Sequence, residues 1–176
     1  TWQQVSSVIM VWDLVIHPQD TNIVVIGCGN FGSTGNGIYR TTDGGQNWTK
    51  INQGVPVTFN GKIHLDVSRS HPDVMYASIG NGFSSSTGAT WLCKSSDKGT
   101  SWTTVSIQDY SRWQGWFSHD VGISPVDTNL IITVGIGAWK STNGGSSWSA
   151  LTDKLPSTGV SGIVVNYANP DQIFIL

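Results

Sequence analysis

The stretch TTDGGQNW, residues 41–48, recurs as SSDKGTSW at residues 95–102 and as STNGGSSW at residues 141–148. The three octets share a Ser or Thr at the first position, an Asp or Asn at the third, a Gly at the fifth and a Trp at the last. Asp and Asn favour tight turns, and Gly adopts backbone conformations that other residues avoid. Three such octets, each following a short apolar segment, therefore indicate a repeated turn in a repeat protein.

A second element repeats upstream of each octet and once more after the last one. Each copy reads as a short apolar strand, a turn rich in Pro, Asp and Asn, and a second apolar strand. The copies are DLVIHPQDTNIVVIG (13–27), HLDVSRSHPDVMYAS (64–78), DVGISPVDTNLIITVG (120–135) and GIVVNYANPDQIFIL (162–176). With one strand before each octet and one after it, the unit has four strands, which we name A to D in chain order.

Four-stranded units repeating at about 40–55 residues are typical of β-propeller blades. We therefore predict an all-β fold, a β-propeller segment of four-stranded antiparallel blades. The opening TWQQV (1–5) aligns with strand D of the second unit, SWTTV (101–105). The predicted divisions are the last strand of a preceding blade (1–9), three blades (10–52, 62–107 and 118–152) and the first half of a following blade (160–176). Because propellers close with about 4–8 blades, we expect the remainder of the propeller to come from a longer chain or from a partner.

The composition excludes several classes of function. Only 11% of the 176 residues are charged, the net charge is −2, and the nine basic residues are scattered. Nucleic acid is therefore not an expected partner, and no apolar run reaches the ~18 residues of a membrane span. Cys28 and Cys93 do not make a disulfide framework, and the four His are dispersed, so we predict neither a metal site nor a cofactor.

The octet resembles the Asp-box, or BNR repeat, of sialidases, sortilin-type receptors, xyloglucan-cleaving glycoside hydrolases and a photosystem II assembly factor. Runs such as GIYRTTDGG (37–45) are most similar to the sortilin and xyloglucanase groups and to large secreted bacterial propeller proteins. The resemblance covers the whole chain and implies a secreted or cell-surface protein. It also implies that the octet is a fold element of the C–D hairpin, with structural roles for Thr41, Asp43, Gly45, Trp48, Ser95, Asp97, Gly99, Trp102, Ser141, Asn143, Gly145 and Trp148.

Function is then expected where the units differ, and the start of strand A is the first such place. Strand A lines the central channel of a propeller, and its equivalent early positions hold Asp13, His64, Asp120 and Gly162, with Asp66 and His119 beside them. Asp13 and Asp120 are weak catalytic candidates, as a general acid and base. His64 and His119 are candidate ligand-binding residues. The alternative is that each Asp or His caps a loop or bonds the backbone of a neighbouring blade.

The second place is the D–A connection QDYSRWQGWFSHD (108–120), which is unusually rich in aromatic residues. Aromatic faces stack on sugar rings and on peptide side chains. The candidate ligand-binding residues are Tyr110, Arg112, Trp113, Trp116 and Phe117. The alternative is that these rings fill the space between blades. The Gly-rich B–C segments at 27–37 and 80–91 are expected to be surface loops.

Three functions remain open from the sequence. The first is a secreted or surface Asp-box β-propeller that acts as a glycan- or protein-binding or structural module. The second is part of a xyloglucanase-like glycoside hydrolase whose active site is completed by other blades. The third is a sortilin-like propeller for peptide binding or assembly. A hydrolase needs two carboxylates converging in an open groove, so backbone N–H groups bound to Asp13, Asp66 and Asp120 would count against it.

Overall fold

The structure is a computed structural model of the 176-residue chain. It describes residues 1–8, 10–81, 89–151, 160, 162–169 and 172–176, without the side chains of Ala89 and Trp113. Most of the predicted B–C loop at 80–91 lies outside the described residues, as does the segment at 152–159. No helix in the described ranges is long and apolar enough to cross a membrane.

The described residues form three four-stranded antiparallel sheets and one two-stranded sheet, each with its strands in chain order. The first sheet contains β1 (Val11–Ile16), β2 (Val24–Cys28), β3 (Gly37–Thr41) and β4 (Thr49–Ile51). The second contains β5 (Ile63–Val67), β6 (Met75–Asn81), β7 (Ala89–Ser95) and β8 (Thr103–Ser106). The third contains β9 (Asp120–Ile123), β10 (Ile131–Val134), β11 (Ala138–Ser141) and β12 (Ser149–Ala150). The fourth pairs β13 (Ile163–Val165) with β14 (Ile173–Ile175). The predicted all-β fold with four-stranded antiparallel blades is confirmed.

Residues 1–8 form no strand, so their assignment to a preceding blade stays a prediction. Two contacts connect them to the first octet. Val5 packs beside Gly45, as Val105 packs beside Gly145. The indole N–H of Trp48 also donates to the carbonyl of Val5 at 3.1 Å. Residues 1–5 therefore lie against the first octet much as strand β8 lies against the third.

Each octet forms a tight turn with a left-handed backbone at its fourth and fifth positions. The fifth residue is Gly in all three, with φ of 94° at Gly45, 79° at Gly99 and 93° at Gly145. Residues with a Cβ rarely adopt this conformation, which explains the repeated Gly. The fourth position is also left-handed, although the second octet carries Lys98 there with φ of 61°.

The hydroxyl at the first position of the octet and the Asp or Asn at the third position bond to other residues of the same octet. In the first octet, Thr41 Oγ1 donates to the Asp43 carboxylate at 2.6 Å and accepts from the Gly45 N–H at 3.1 Å. Asp43 also accepts from the backbone N–H of Asn47 at 2.9 Å. Asn143 accepts equivalent bonds in the third octet, so an amide serves there as well as a carboxylate. The octet is thus a turn whose acidic residue accepts hydrogen bonds from its own hairpin.

The sheets stack face to face and bury apolar side chains between them. Val25 and Ile38 of the first sheet share a cluster with Leu65, Met75 and Cys93 of the second. A second cluster lies between the second and third sheets, and a third lies between the third sheet and strands β13 and β14. Each fully buried apolar side chain contributes about 1.5–3 kcal/mol, so contact between blades is the main source of stability. Cys28 and Cys93 are buried free thiols.

The strand directions give the stack two distinct ends. The A–B turns and the octets share one end, since the Gly44 N–H donates to Asn22 and the Gly144 N–H donates to Asn129. The starts of strands A, the B–C loops and the D–A connections share the opposite end, which we call the top face. The aromatic connection at 108–120 and the residues Asp13, His64 and Asp120 therefore belong to one end of the molecule, away from the octets.

Candidate functional site

Three carboxylates on the innermost strands connect neighbouring blades. Asp13 on β1 accepts from the backbone N–H of Leu65 on β5 at 2.8 Å. Asp66 on β5 accepts from Ile123 on β9 at 2.7 Å, and Asp120 on β9 accepts from Ile163 on β13 at 3.1 Å. In each case the second carboxylate oxygen accepts from the next residue of its own strand. The sequence leaves open that these residues bond the backbone of a neighbouring blade, and the structure has that arrangement. Carboxylates bound in this way count against a catalytic pair for hydrolysis.

His64 lies between two of these carboxylates. Its Nδ1 is 3.6 Å from Asp13 Oδ2 and 3.6 Å from Asp120 Oδ1, which is too long for a hydrogen bond. Its Nε2 is buried and has no hydrogen-bond partner among the described residues. One nitrogen of His64 and one oxygen from each Asp lie within 4.8 Å of one another. The sequence places these three residues at equivalent positions of three blades, but only the fold brings them together.

Burial changes the acidity of the inner carboxylates. Desolvation raises the pKa of Asp66 to about 7, although backbone N–H donors from Ile123 and Val67 lower it. Desolvation also raises the pKa of Asp120, and the nearby His64 opposes that rise. A cavity of about 270 Å³ opens at Asp13, Asp66 and Asp120, along the inner edges of strands β5, β9 and β13.

A buried hydrogen-bond chain holds the base of the D–A connection. His119 Nε2 lies 3.0 Å from the carbonyl of Gly115, so this nitrogen carries the proton and donates. His119 Nδ1 therefore accepts from Ser78 Oγ at 2.7 Å, and Ser78 in turn accepts from Tyr110 Oη at 2.7 Å. Burial holds the pKa of His119 well below its ordinary value, so the ring is neutral. Tyr110 is 1% exposed and His119 is fully buried, so both side chains lie beneath the surface of the top face.

Three glycines fix where the D–A connection sits. The backbone N–H of Lys62 donates to the carbonyl of Gly115 at 2.9 Å, and Gly61 and Gly80 pair beside it. A Cβ on Gly80 would lie 2.2 Å from the Gly115 oxygen, so the backbones approach more closely than other residues allow. The buried amide of Asn30 donates to the carbonyl of Trp116 at 3.1 Å and ties the connection to the loop between β2 and β3.

The surface above this contact carries a continuous aromatic patch, made of Trp12, Phe31, Trp116 and Phe117. Ring centroids are 5.1 Å apart for Phe31 and Trp116 and 5.3 Å apart for Trp116 and Phe117. The ammonium of Lys62 lies 4.9 Å from the Trp12 ring and 5.8 Å from the Phe117 ring, which joins the fourth member to the others. Exposure is 44% for Trp12, 56% for Phe31 and 51% for Phe117, and Trp116 is half-buried.

The aromatic patch contains two predicted residues and two that the sequence reading missed. Trp116 and Phe117 were expected in it. Trp12 joins because the pairing of β1 with β2 shifts register beside it, and such an irregularity redirects a side chain. Arg112 is exposed at the start of a 3₁₀ helix, Arg112–Gln114, with φ of 49°. The side chain of Trp113 lies outside the described residues, so its predicted role stays a prediction.

Comparison with solved structures identifies the architecture. A GH74 enzyme from Niastella koreensis superposes with a TM-score of 0.65 at 22% identity, covering 88% of this chain and 24% of that enzyme. The GH74 xyloglucanase from Xanthomonas campestris gives 0.69 at 17% identity, covering 96% and 27%. YCF48 from Cyanidioschyzon merolae gives 0.55 at 15% identity, covering 89% and 47%. The fold is that of part of a β-propeller.

These matches cover only part of each solved structure, which limits what can be inferred from them about this chain. This chain spans about a quarter of the length of the GH74 enzymes and about half of YCF48. All three identities are low, so the likeness concerns the fold. No protein-family model matches the chain, and no curated protein matches its sequence.

Proposed function

We propose that this β-propeller segment belongs to a secreted or cell-surface protein and binds carbohydrate through the aromatic patch on its top face. The octets are then Asp-box turns, as their Ser/Thr–Asp–Gly hydrogen bonding suggests. The apolar side chains that the first and last sheets expose, including Leu14, Ile16, Val164 and Phe174, would contact the remainder of the propeller.

The observation that carries the proposal is the exposed, continuous set of rings held on a rigid base. Contiguous exposed aromatic surface is uncommon on soluble proteins and marks binding sites. Trp and Phe faces offer large contact area with few rotatable bonds, which suits the apolar faces of sugar rings. The close glycine contact and the Asn30–Trp116 hydrogen bond hold the rings before any ligand arrives, which lowers the entropic cost of binding.

The low charge around the patch suits a neutral polyhydroxyl ligand. Lys62 provides one cation, which lies over two of the rings, and burial lowers its pKa. An anionic polymer would require several clustered cations, whereas the nine basic residues are scattered along the sequence. The xyloglucanase among the structural neighbours makes a xyloglucan oligosaccharide the first ligand to test.

Isothermal titration calorimetry with a xyloglucan oligosaccharide tests the proposal. We expect saturable binding to the wild-type chain and at least a tenfold weaker Kd for Phe117→Ala and Trp12→Ala, since losing one stacking ring costs about 1.4 kcal/mol. Trp2→Ala is the matched control, because Trp2 is fully exposed and lies outside the patch. Equal affinities for the patch variants and wild type, or binding of a peptide library alone, would reject carbohydrate as the ligand.

A hydrolase active site is the second candidate, favoured by the proximity of Asp13 and Asp120. An oxygen of each lies within 4.8 Å of the other, near the separation of about 5–5.5 Å in retaining glycosidases. Their bonds to Leu65 and Ile163 oppose this role, because both carboxylates already hold the blades together. Release of reducing sugar from xyloglucan by wild type, abolished in Asp120→Asn, would establish hydrolysis; folded protein without release would exclude it for this segment.

A further inference from the structure

We propose that Asp13, His64 and Asp120 bind one divalent metal ion, of the Zn²⁺ or Mn²⁺ type, at the top of the central channel. This site is separate from the aromatic patch, and its test does not depend on carbohydrate binding. Each ligand comes from the inner strand of a different blade, so the ion would join β1, β5 and β9 at one point.

The distances fit a metal better than they fit direct pairing. The Nδ1 of His64 stands 3.6 Å from one oxygen of Asp13 and from one oxygen of Asp120, beyond hydrogen-bond length in both cases. With the two oxygens no more than 4.8 Å apart, a point equidistant from all three atoms lies at most about 2.4 Å from each. Bonds of about 2.0–2.4 Å are those of imidazole and carboxylate to divalent metals.

The packing around His64 holds its ring beside the two carboxylates. It is 15% exposed, and its Nδ1 faces the Asp13 and Asp120 carboxylates at 3.6 Å, while the buried Nε2 on the other side of the ring has no hydrogen-bond partner among the described residues. The neighbouring His119 has both nitrogens satisfied and packs edge-on against the His64 ring at 5.1 Å, which fixes its orientation towards the carboxylates.

The carboxylates can keep their structural bonds while they bind a metal. Each carboxylate oxygen has two lone pairs, and each oxygen of Asp13 and Asp120 accepts one backbone N–H. These N–H donors hold the carboxylates in place, as hydrogen bonds to metal ligands commonly do. Three protein ligands leave further positions for water or for a ligand hydroxyl at the 270 Å³ cavity. The donor set of one imidazole and two carboxylates suits Zn²⁺ or Mn²⁺ better than Ca²⁺, which needs 6–8 oxygens.

Calorimetric titration of the metal-free chain with Zn²⁺, Mn²⁺ and Ca²⁺ tests the site. We expect one equivalent of Zn²⁺ and of Mn²⁺ to bind, with Ca²⁺ weaker. His64→Ala should weaken Zn²⁺ at least tenfold without disturbing the links between blades, because His64 makes no hydrogen bond to them. His71→Ala is the control, since His71 is exposed in an A–B turn. Absence of saturable binding, or equal Zn²⁺ affinity in wild type and His64→Ala, would overturn the proposal.

X-ray absorption of the Zn²⁺-loaded wild type gives a test that needs no variant. The proposal expects a single imidazole nitrogen with the remaining ligands being oxygen. A sulfur ligand would place the metal at Cys28 or Cys93, and two or more imidazoles would place it at other histidines. Either result would contradict the Asp13–His64–Asp120 site, even if the His64 variant failed to fold.

Discussion

Replacing Gly115 with Ala is expected to displace the backbone that carries Trp116 and Phe117 of the aromatic patch. A Cβ on this residue would lie 2.6 Å from the Asn81 nitrogen and 3.0 Å from two backbone atoms of Gly80. These are backbone atoms, which cannot rotate away as a side chain does, so the D–A connection must shift. The shift weakens the bonds that the Gly115 carbonyl accepts from the Lys62 N–H at 2.9 Å and from His119 at 3.0 Å.

The magnitude follows from those two bonds. Each buried donor left without its acceptor costs about 1–3 kcal/mol, and partial relaxation gives a total of about 3 kcal/mol. For a chain of this size, that corresponds to a fall in Tm of about 6–12 °C. Because Trp116 and Phe117 follow directly, we also expect weaker oligosaccharide binding at temperatures where the variant is still folded.

Thermal unfolding followed by circular dichroism, with calorimetric binding at 15 °C, measures both effects. Gly162→Ala is the matched control, because among the described residues a Cβ there meets only Leu176 side-chain atoms, at 3.8 and 3.9 Å. Its free energy of unfolding should stay within about 0.5 kcal/mol of wild type. If Gly115→Ala melts within about 1 °C of wild type and binds equally well, the glycine contact does not position the patch.

Two further predictions concern the turns. Bonds from Thr41 and its neighbours hold the pKa of Asp43 at about 2, below the ordinary 3.8, so its contribution to stability is present above pH 3.8 and is lost as the pH falls towards 2. Asp43→Asn, which reproduces Asn143 of the third octet, should keep the fold and flatten that part of an acid-unfolding curve; an unchanged curve would contradict this. Gly54 has φ of 74°, and a Cβ there would lie 1.6 Å from the Trp102 carbonyl oxygen, so Gly54→Ala should yield little folded protein. A soluble variant with wild-type Tm would refute that expectation.

The fold was predictable because its signals are local and repeated. Each octet fixes its own turn through a Ser or Thr hydroxyl, an Asp or Asn and a left-handed Gly, so no distant contact is needed to recognise it. Alignment of the units also placed Asp13, His64 and Asp120 at equivalent positions. One alternative from the sequence is that each Asp bonds the backbone of a neighbouring blade. The bonds that Asp13, Asp66 and Asp120 accept from the N–H groups of Leu65, Ile123 and Ile163 agree with that alternative.

The aromatic patch was only half predictable, because it forms through tertiary contacts. The aromatic richness of residues 108–120 indicates Trp116, Phe117 and Tyr110 equally, but the structure buries Tyr110, with its hydroxyl bonded to Ser78. Trp12 depends on an irregular strand pairing and Phe31 on a loop anchored through Asn30. No repeated sequence pattern indicates that Trp12 or Phe31 belongs to the patch.

Nuclear magnetic resonance of the tryptophan indole N–H groups tests the central claim, carbohydrate binding at the aromatic patch, most directly. The chain has nine tryptophans, of which Trp12 and Trp116 belong to the patch while Trp2, Trp102 and Trp148 lie elsewhere. On titration with a xyloglucan oligosaccharide, the signals of Trp12 and Trp116 should shift together and saturate with one Kd, and the other three should stay in place. Stationary Trp12 and Trp116 signals, or saturable shifts confined to the other three, would contradict the account.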